Sequence, residues 1–125
     1  MTATSDDAQG LRAALRAGLA TALKARDRDA LAALRTAIAA IDNAEAVPVP
    51  DTGEPVTSAH IAGARSGPGS AEAARRRLTA GELHDILRGQ IAEQTSEADR
   101  YDALGQSAAG ERLRRQSRTL AAYLP

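Results

Sequence analysis

Leucine recurs every fourth residue near the start of the chain, at Leu11, Leu15, Leu19 and Leu23, with Gly18 and Ala22 on the same stripe. This spacing predicts an amphipathic helix over about residues 7–26. Ser5 or Asp6 would cap its N-terminus, and Lys24 and Arg26 in its last turn complement the helix dipole. Leu31, Leu34, Ile38, Ile41 and Glu45 follow at alternating steps of three and four, the spacing of a coiled-coil-like seam. They predict a second helix over about 27–46, opened by Asp27 as N-cap. Ala30, Ala37 and Ala44 flank that seam and let a neighbouring backbone approach closely. Only the charged stretch 24–29 separates the two helices, so an antiparallel hairpin is expected.

The period then collapses. Pro48, Pro50, Pro55 and Pro68, with Gly53, Gly63, Gly67 and Gly69, exclude helix interior and central strand from 47–70. Its few apolar residues, Val47, Val49, Val56 and Ile61, show no repeat, and a disordered, flexible connector is expected. Periodicity resumes at Thr79-Ala-Gly-Glu82, a capping-box sequence. Leu83, Leu87, Ile91, Ala98 and Tyr101 mark the buried stripe of a third helix over about 79–104, and Gly105 supplies its stop. A fourth helix over about 108–124 carries Ala109, Leu113, Leu120 and Leu124 inward, with Pro125 ending it. The pattern predicts one all-α domain spanning 1–125: two antiparallel helical hairpins forming an up-and-down four-helix bundle, joined by a flexible Pro/Gly-rich connector.

Composition sharpens this. Hydrophobic residues make up 43% of the 125, yet alanine supplies 30 of them, while Leu, Ile, Val and Phe together number 21. A thin, alanine-lined helical core follows, because alanine is the best helix former and the β-branched and aromatic supply is too small for extensive sheet. Sixteen basic and sixteen acidic residues cancel, which disfavours a dedicated nucleic-acid binder. They nevertheless sort by helix: the four segments are net basic, acidic, acidic and basic in chain order, so the first hairpin and the second each bring opposite signs together. With no cysteine, disulfides, thiolate catalysis and sulfur-ligated zinc are excluded. Arg12 and Arg16 interrupt the N-terminal Leu/Ala stretch, and no apolar run approaches a membrane span. A soluble, cytoplasmic protein is expected, without membrane partners.

Reactive groups are sparse. His60 falls in the connector and His84 beside the third stripe, neither with a second histidine at i+4, so each reads as a solvated or core-edge residue. Glu93 and Glu97 share a helix face, where a solvated acidic surface paired with the fourth helix outweighs a cation site. The run Gly63 to Gly69 lacks the lysine and preceding strand of a phosphate loop and reads as linker. No catalytic, cofactor or metal residues are assigned. Candidates for nucleic-acid phosphate contact are Arg75, Arg76 and Arg77 and, on the fourth helix, Arg112, Arg115 and Arg118. The alternative for these arginines is pairing with the acidic third helix.

Several short motifs occur in a meaningful order. The stretch ALKARDRDALAALRTAIAAIDNAE within Leu11–Glu45, then LTAGELHDIL, ADRYDALGQ and the terminal YLP, resemble the helical domain of the YqeY-like proteins of the GatB/YqeY group. The resemblance covers about 85 of the 125 residues and omits the connector. Its pattern falls on Leu34, Arg35, Asn43, Glu45, Leu78, Thr79, Glu82 and Tyr123-Leu124-Pro125. In the family, YLP leads into a small three-helix tail shared with the tRNA-dependent amidotransferase B subunit and implicated in tRNA binding. That tail is expected to be absent here, and Arg114, Gln116 and Arg118 stand at positions often acidic in relatives. The resemblance implies a carbon–nitrogen ligase label with glutamine as amido donor, while the residues themselves display no catalytic centre, which leaves enzymatic activity open. The expected role is a non-catalytic accessory or interaction module without cofactor. Its expected partners are an amidotransferase subunit, tRNA or a second copy of the chain; the alternatives are a subunit or enzyme of amide-nitrogen transfer and a weak tRNA-binding module.

Overall fold

Residues 3–46 and 77–125 are described by the computed structural model. Among them the chain forms four helices and no strand: α1 (Ala3–Ala25), α2 (Arg28–Ala46), α3 (Ala80–Ala103) and α4 (Ser107–Ala121). They make the expected all-α bundle of two antiparallel hairpins. Residues 1–41 and 78–125 belong to one compact unit. The end of α2 from Asp42, and Arg77, belong to a second unit. The connector 47–70 lies outside the described residues.

Local chemistry sets the helix ends. α1 starts at Ala3 and runs through Ser5 and Asp6, which therefore do not cap it. Nothing in those residues breaks a helix, and acidic groups are favourable in a first turn. At the other end Arg26 adopts a left-handed conformation with φ of 58°. Its N–H donates to the Leu23 carbonyl (3.2 Å) and the Asp27 N–H to that of Ala22 (3.0 Å), a Schellman closure normally built on glycine. Asp27 caps α2 as expected: its Oδ1 accepts from the Ala30 N–H at 3.1 Å.

The second hairpin is equally well marked. Thr79 Oγ1 accepts from the Glu82 N–H (3.1 Å), and the Thr79 N–H donates to Glu82 Oε1 (2.9 Å), completing the capping box. Gly105, with φ of 77°, closes α3, and the Gln106 N–H reaches the Tyr101 carbonyl at 2.8 Å. α4 ends at Ala121, three residues before the expected 124. Pro125 disfavours helical backbone at the residue before it, and 123–124 tighten into i→i+3 bonds instead.

The core departs from the simplest stripes. In α1 the buried line is Ala8, Leu15 and Ala22, whereas Leu23 is 56% exposed. Steps of four residues drift about 40° each around a helix of 3.6 residues per turn, so the leucine series walks off the buried face. In α2 the buried residues are Ala33, Leu34, Ala37 and Ile41, with Leu31 and Ile38 half-buried at the margins. α4 turns inward Gly110, Ser117 and Leu120, while Ala109, Leu113 and Leu124 are half-buried. α3 packs along α4 and also against α1. Its buried face includes Gln94, a position the apolar pattern leaves out.

Candidate functional site

Arg112, Arg115 and Arg118 recur every three residues along α4, so they follow one slowly winding strip of that helix. The first turn of α2 lies opposite, started there by the Asp27 cap. Asp29 faces the strip. The Arg115 Nε–H donates to Asp29 Oδ2 at 2.9 Å, and Arg112 Nε lies 3.9 Å from Asp29 Oδ1. Each carboxylate oxygen thus meets a different arginine. The Asp29 side chain is 23% exposed, less than half the 48% and 59% of Arg115 and Arg112, so the carboxylate sits in the groove and the guanidinium groups at its rim. Arg118 Nη2 donates to Glu111 Oε2 at 3.2 Å, and Arg115 Nη1 lies 4.0 Å from the same oxygen.

Two shallow depressions share Asp29 as a wall. One, of about 390 Å³, is lined by Asp27, Asp29, Arg115, Arg118 and Thr119. The other, of about 450 Å³, is lined by Arg28, Asp29, Ala32, Arg112 and Gln116. A carboxylate on the first turn of α2 is thus flanked by guanidinium groups from α4, and the cleft between them is lined mainly by charged side chains.

The expected alternative for the arginines of α4, pairing with acidic α3, holds for Arg114. Its Nη2 donates to Asp99 Oδ1 (2.7 Å), and its Nη1 meets Asp102 Oδ2 at 2.8 Å. The bond to Asp102 raises the guanidinium pKa above its ordinary value, against partial burial, and Asp99 reinforces the shift. Arg112 and Arg115 instead cross to α2, and Arg118 pairs within its own helix.

The remaining candidates scatter. Arg77 is exposed and belongs to the second unit, and Arg75 and Arg76 lie outside the described residues, as do His60 and Gly63–Gly69. His84 is half-buried on α3, Glu93 is exposed, and Glu97 pairs with Arg100 at 3.3 Å. Arg35 and Asn43 are exposed on α2, and Glu45 is half-buried near its end. Thr79 and Glu82 bond each other at the α3 cap. The Tyr123 hydroxyl lies directly over Gly18, with Leu34 beside it, so a methyl group at position 18 would overlap the phenol. Among the described residues no group of three His, Asp or Glu side chains is placed to hold a metal, and no helix is long and apolar enough to cross a membrane.

Sequence reasoning passed over Asp29 and Arg28 as site residues. The signal was present only as the opposite net charges of the second and fourth segments, which names no pair. Compared with family models, curated proteins and solved structures, the chain matches none.

Proposed function

We propose that this chain is a cytoplasmic, non-catalytic accessory module of YqeY-like type, acting by binding a subunit of the tRNA-dependent amidotransferase or tRNA. The reading is supported by the work done at the positions that carry the resemblance. Thr79 and Glu82 satisfy each other's backbone at the start of α3. Tyr123 seats its ring end on Gly18 of α1 and beside Leu34 of α2, so the YLP segment ties the second hairpin to the first. These are architectural roles, and a motif that builds a scaffold implies activity through the surface that the scaffold presents. Fold likeness alone would not carry the ligase label to this chain.

Affinity purification of the tagged full chain from its native lysate, followed by mass spectrometry and RNA sequencing, tests the reading. The expected result is recovery of an amidotransferase subunit or of tRNA at near-stoichiometric level. Recovery of neither overturns it, as does glutamine-dependent amidation by the purified chain alone.

A further inference from the structure

We infer that the groove between the first turn of α2 and the arginine strip of α4 is a binding site for adjacent phosphate groups, and that Asp29 is its built-in competitor. This goes beyond the accessory role proposed above and does not depend on it.

The arrangement argues for it in three steps. First, the positive charge exceeds what the pairs consume. Arg28, Arg112, Arg115 and Arg118 line the two depressions, against Asp27 and Asp29 in the same walls and Glu111 beside them. Every arginine brings five N–H donors in a rigid fork suited to bidentate phosphate contact. The contacts with Asp29 run through a single nitrogen of each arginine, at 2.9 and 3.9 Å. Second, Asp29 is placed as a partition. One oxygen faces Arg115 on the side of the smaller depression and the other faces Arg112 on the side of the larger. A ligand with two or more linked phosphates bridges both sides once that carboxylate swings out. Third, the lock is weak enough to open. Both guanidinium groups are about half exposed at the rim, and an ion pair open to solvent on that side is worth about 1 kcal/mol, which a multivalent anion on three arginines exceeds. The positive end of the α2 dipole lies at the same place and adds to the attraction.

A single carboxylate, that of Asp29, is what Arg112 and Arg115 share between them, so the favoured ligand is one that offers more charge per contact. Linked phosphates do so, whether in a free oligophosphate or in an RNA backbone. The chain has no Phe or Trp and two tyrosines, so bases gain little by stacking and recognition is through phosphate.

The test uses the purified full chain, with inorganic tripolyphosphate followed by calorimetry and a fluorescein-labelled oligouridine followed by anisotropy, at about 50 mM salt and again at about 200 mM. Asp29→Asn keeps the side-chain shape and is expected to tighten binding about twofold to fivefold. The double variant Arg112→Gln/Arg115→Gln is expected to weaken it at least about tenfold at the lower salt. Arg88→Gln, at an exposed position of α3 and paired within its own helix to Asp85, serves as the control and should change nothing. Circular dichroism checks that each variant keeps its helicity, and Asp29→Ser repeats the test should the asparagine variant not fold. Tighter binding of either probe by the Asp29 variant, with loss in the double variant, supports the site. Binding of tripolyphosphate assigns the free oligophosphate as a source, and binding of oligouridine with a reduced salt slope in the double variant assigns the nucleic-acid backbone. Unchanged or weaker affinity on removing the Asp29 charge overturns the inference. So does equal loss in Arg88→Gln, or binding of neither probe.

Discussion

Arg26 stands where a glycine is expected. Its φ of 58° puts the side chain against the neighbouring carbonyl, a conformation that costs an L-residue with a Cβ about 1–2 kcal/mol. The two bonds that close α1 there use backbone groups alone, so glycine keeps them while removing the crowding. Arg26→Gly is therefore expected to raise stability by about 1 kcal/mol, read as a higher urea midpoint at unchanged slope. Gly89 and Gly110 make a second comparison at this scale. A Cβ on Gly89 meets no atom within 4 Å, and the position is exposed mid-helix, so Gly89→Ala should stabilise by about 1 kcal/mol. A Cβ on Gly110 would collide with an Asp102 carboxylate oxygen and stand 3.0 Å from the Ala98 carbonyl. Overpacking costs about 1–3 kcal/mol, which exceeds the same propensity gain, so Gly110→Ala should lower the midpoint. One substitution thus has opposite signs on two helices, and thermal unfolding of both variants checks it. Caps of this local kind were legible in sequence wherever the motif was regular: the Thr79/Glu82 box, Gly105 and Asp27. The Arg26 closure was not, because it uses a residue that does not advertise a left-handed turn.

At the scale of elements, the second hairpin is held by a clamp as well as by its buried stripe. Arg114 reaches back from α4 to Asp99 and Asp102, one turn apart on α3, with Gly110 leaving room beneath the guanidinium. Arg114→Met keeps the aliphatic stem and removes the charge. It is expected to lower the melting temperature at low salt, and the difference from wild type should shrink at about 1 M salt, where screening acts within about 3 Å. A difference independent of salt would show that Arg114 acts through packing of its stem. The raised pKa leaves Arg114 charged throughout the neutral range. A group with a raised folded-state pKa loses its contribution only as pH rises past that value, so this guanidinium gives stability no slope near neutrality. Four helices and their order were readable from periodicity because each stripe is local. Which charged strip faces which was not. Asp29 and Arg115 are 86 residues apart, and α2 and α3 are both net acidic, so net charge alone lets basic α4 pair with either. The pairing is decided by the phase in which Gly110, Ser117 and Leu120 turn inward. That phase follows from small residues that hydrophobicity counts poorly.

Across the whole molecule the same point decides how the core is specified. Ala33, Ala37 and Ala98 are fully buried beside Leu34, Leu83, Leu87 and Leu120, so close helix approach replaces bulk as the means of excluding water. A thin core has little apolar area with which to offset a polar intrusion, yet Gln94 sits in it at 8% exposure, and its Oε1 is buried without a protein hydrogen-bond partner. An unsatisfied buried acceptor costs about 1–3 kcal/mol. Methionine has nearly the same length and no branching, so it can follow the path of the glutamine side chain between the helices while removing the amide. Gln94→Met is therefore expected to raise the urea midpoint by about 1 kcal/mol of stability, the relief being reduced by whatever bonds the amide nitrogen makes. The slope of the transition separates two accounts of why a glutamine stands there. If Gln94 only weakens the bundle, the slope stays unchanged and the midpoint rises. If it fixes the register of α3 against its neighbours, as a polar group does at a coiled-coil interior, the methionine variant melts over a broader range despite its more apolar core. A lower midpoint at unchanged slope would mean instead that the carbonyl is satisfied by a bound water in solution and that its burial carries no penalty.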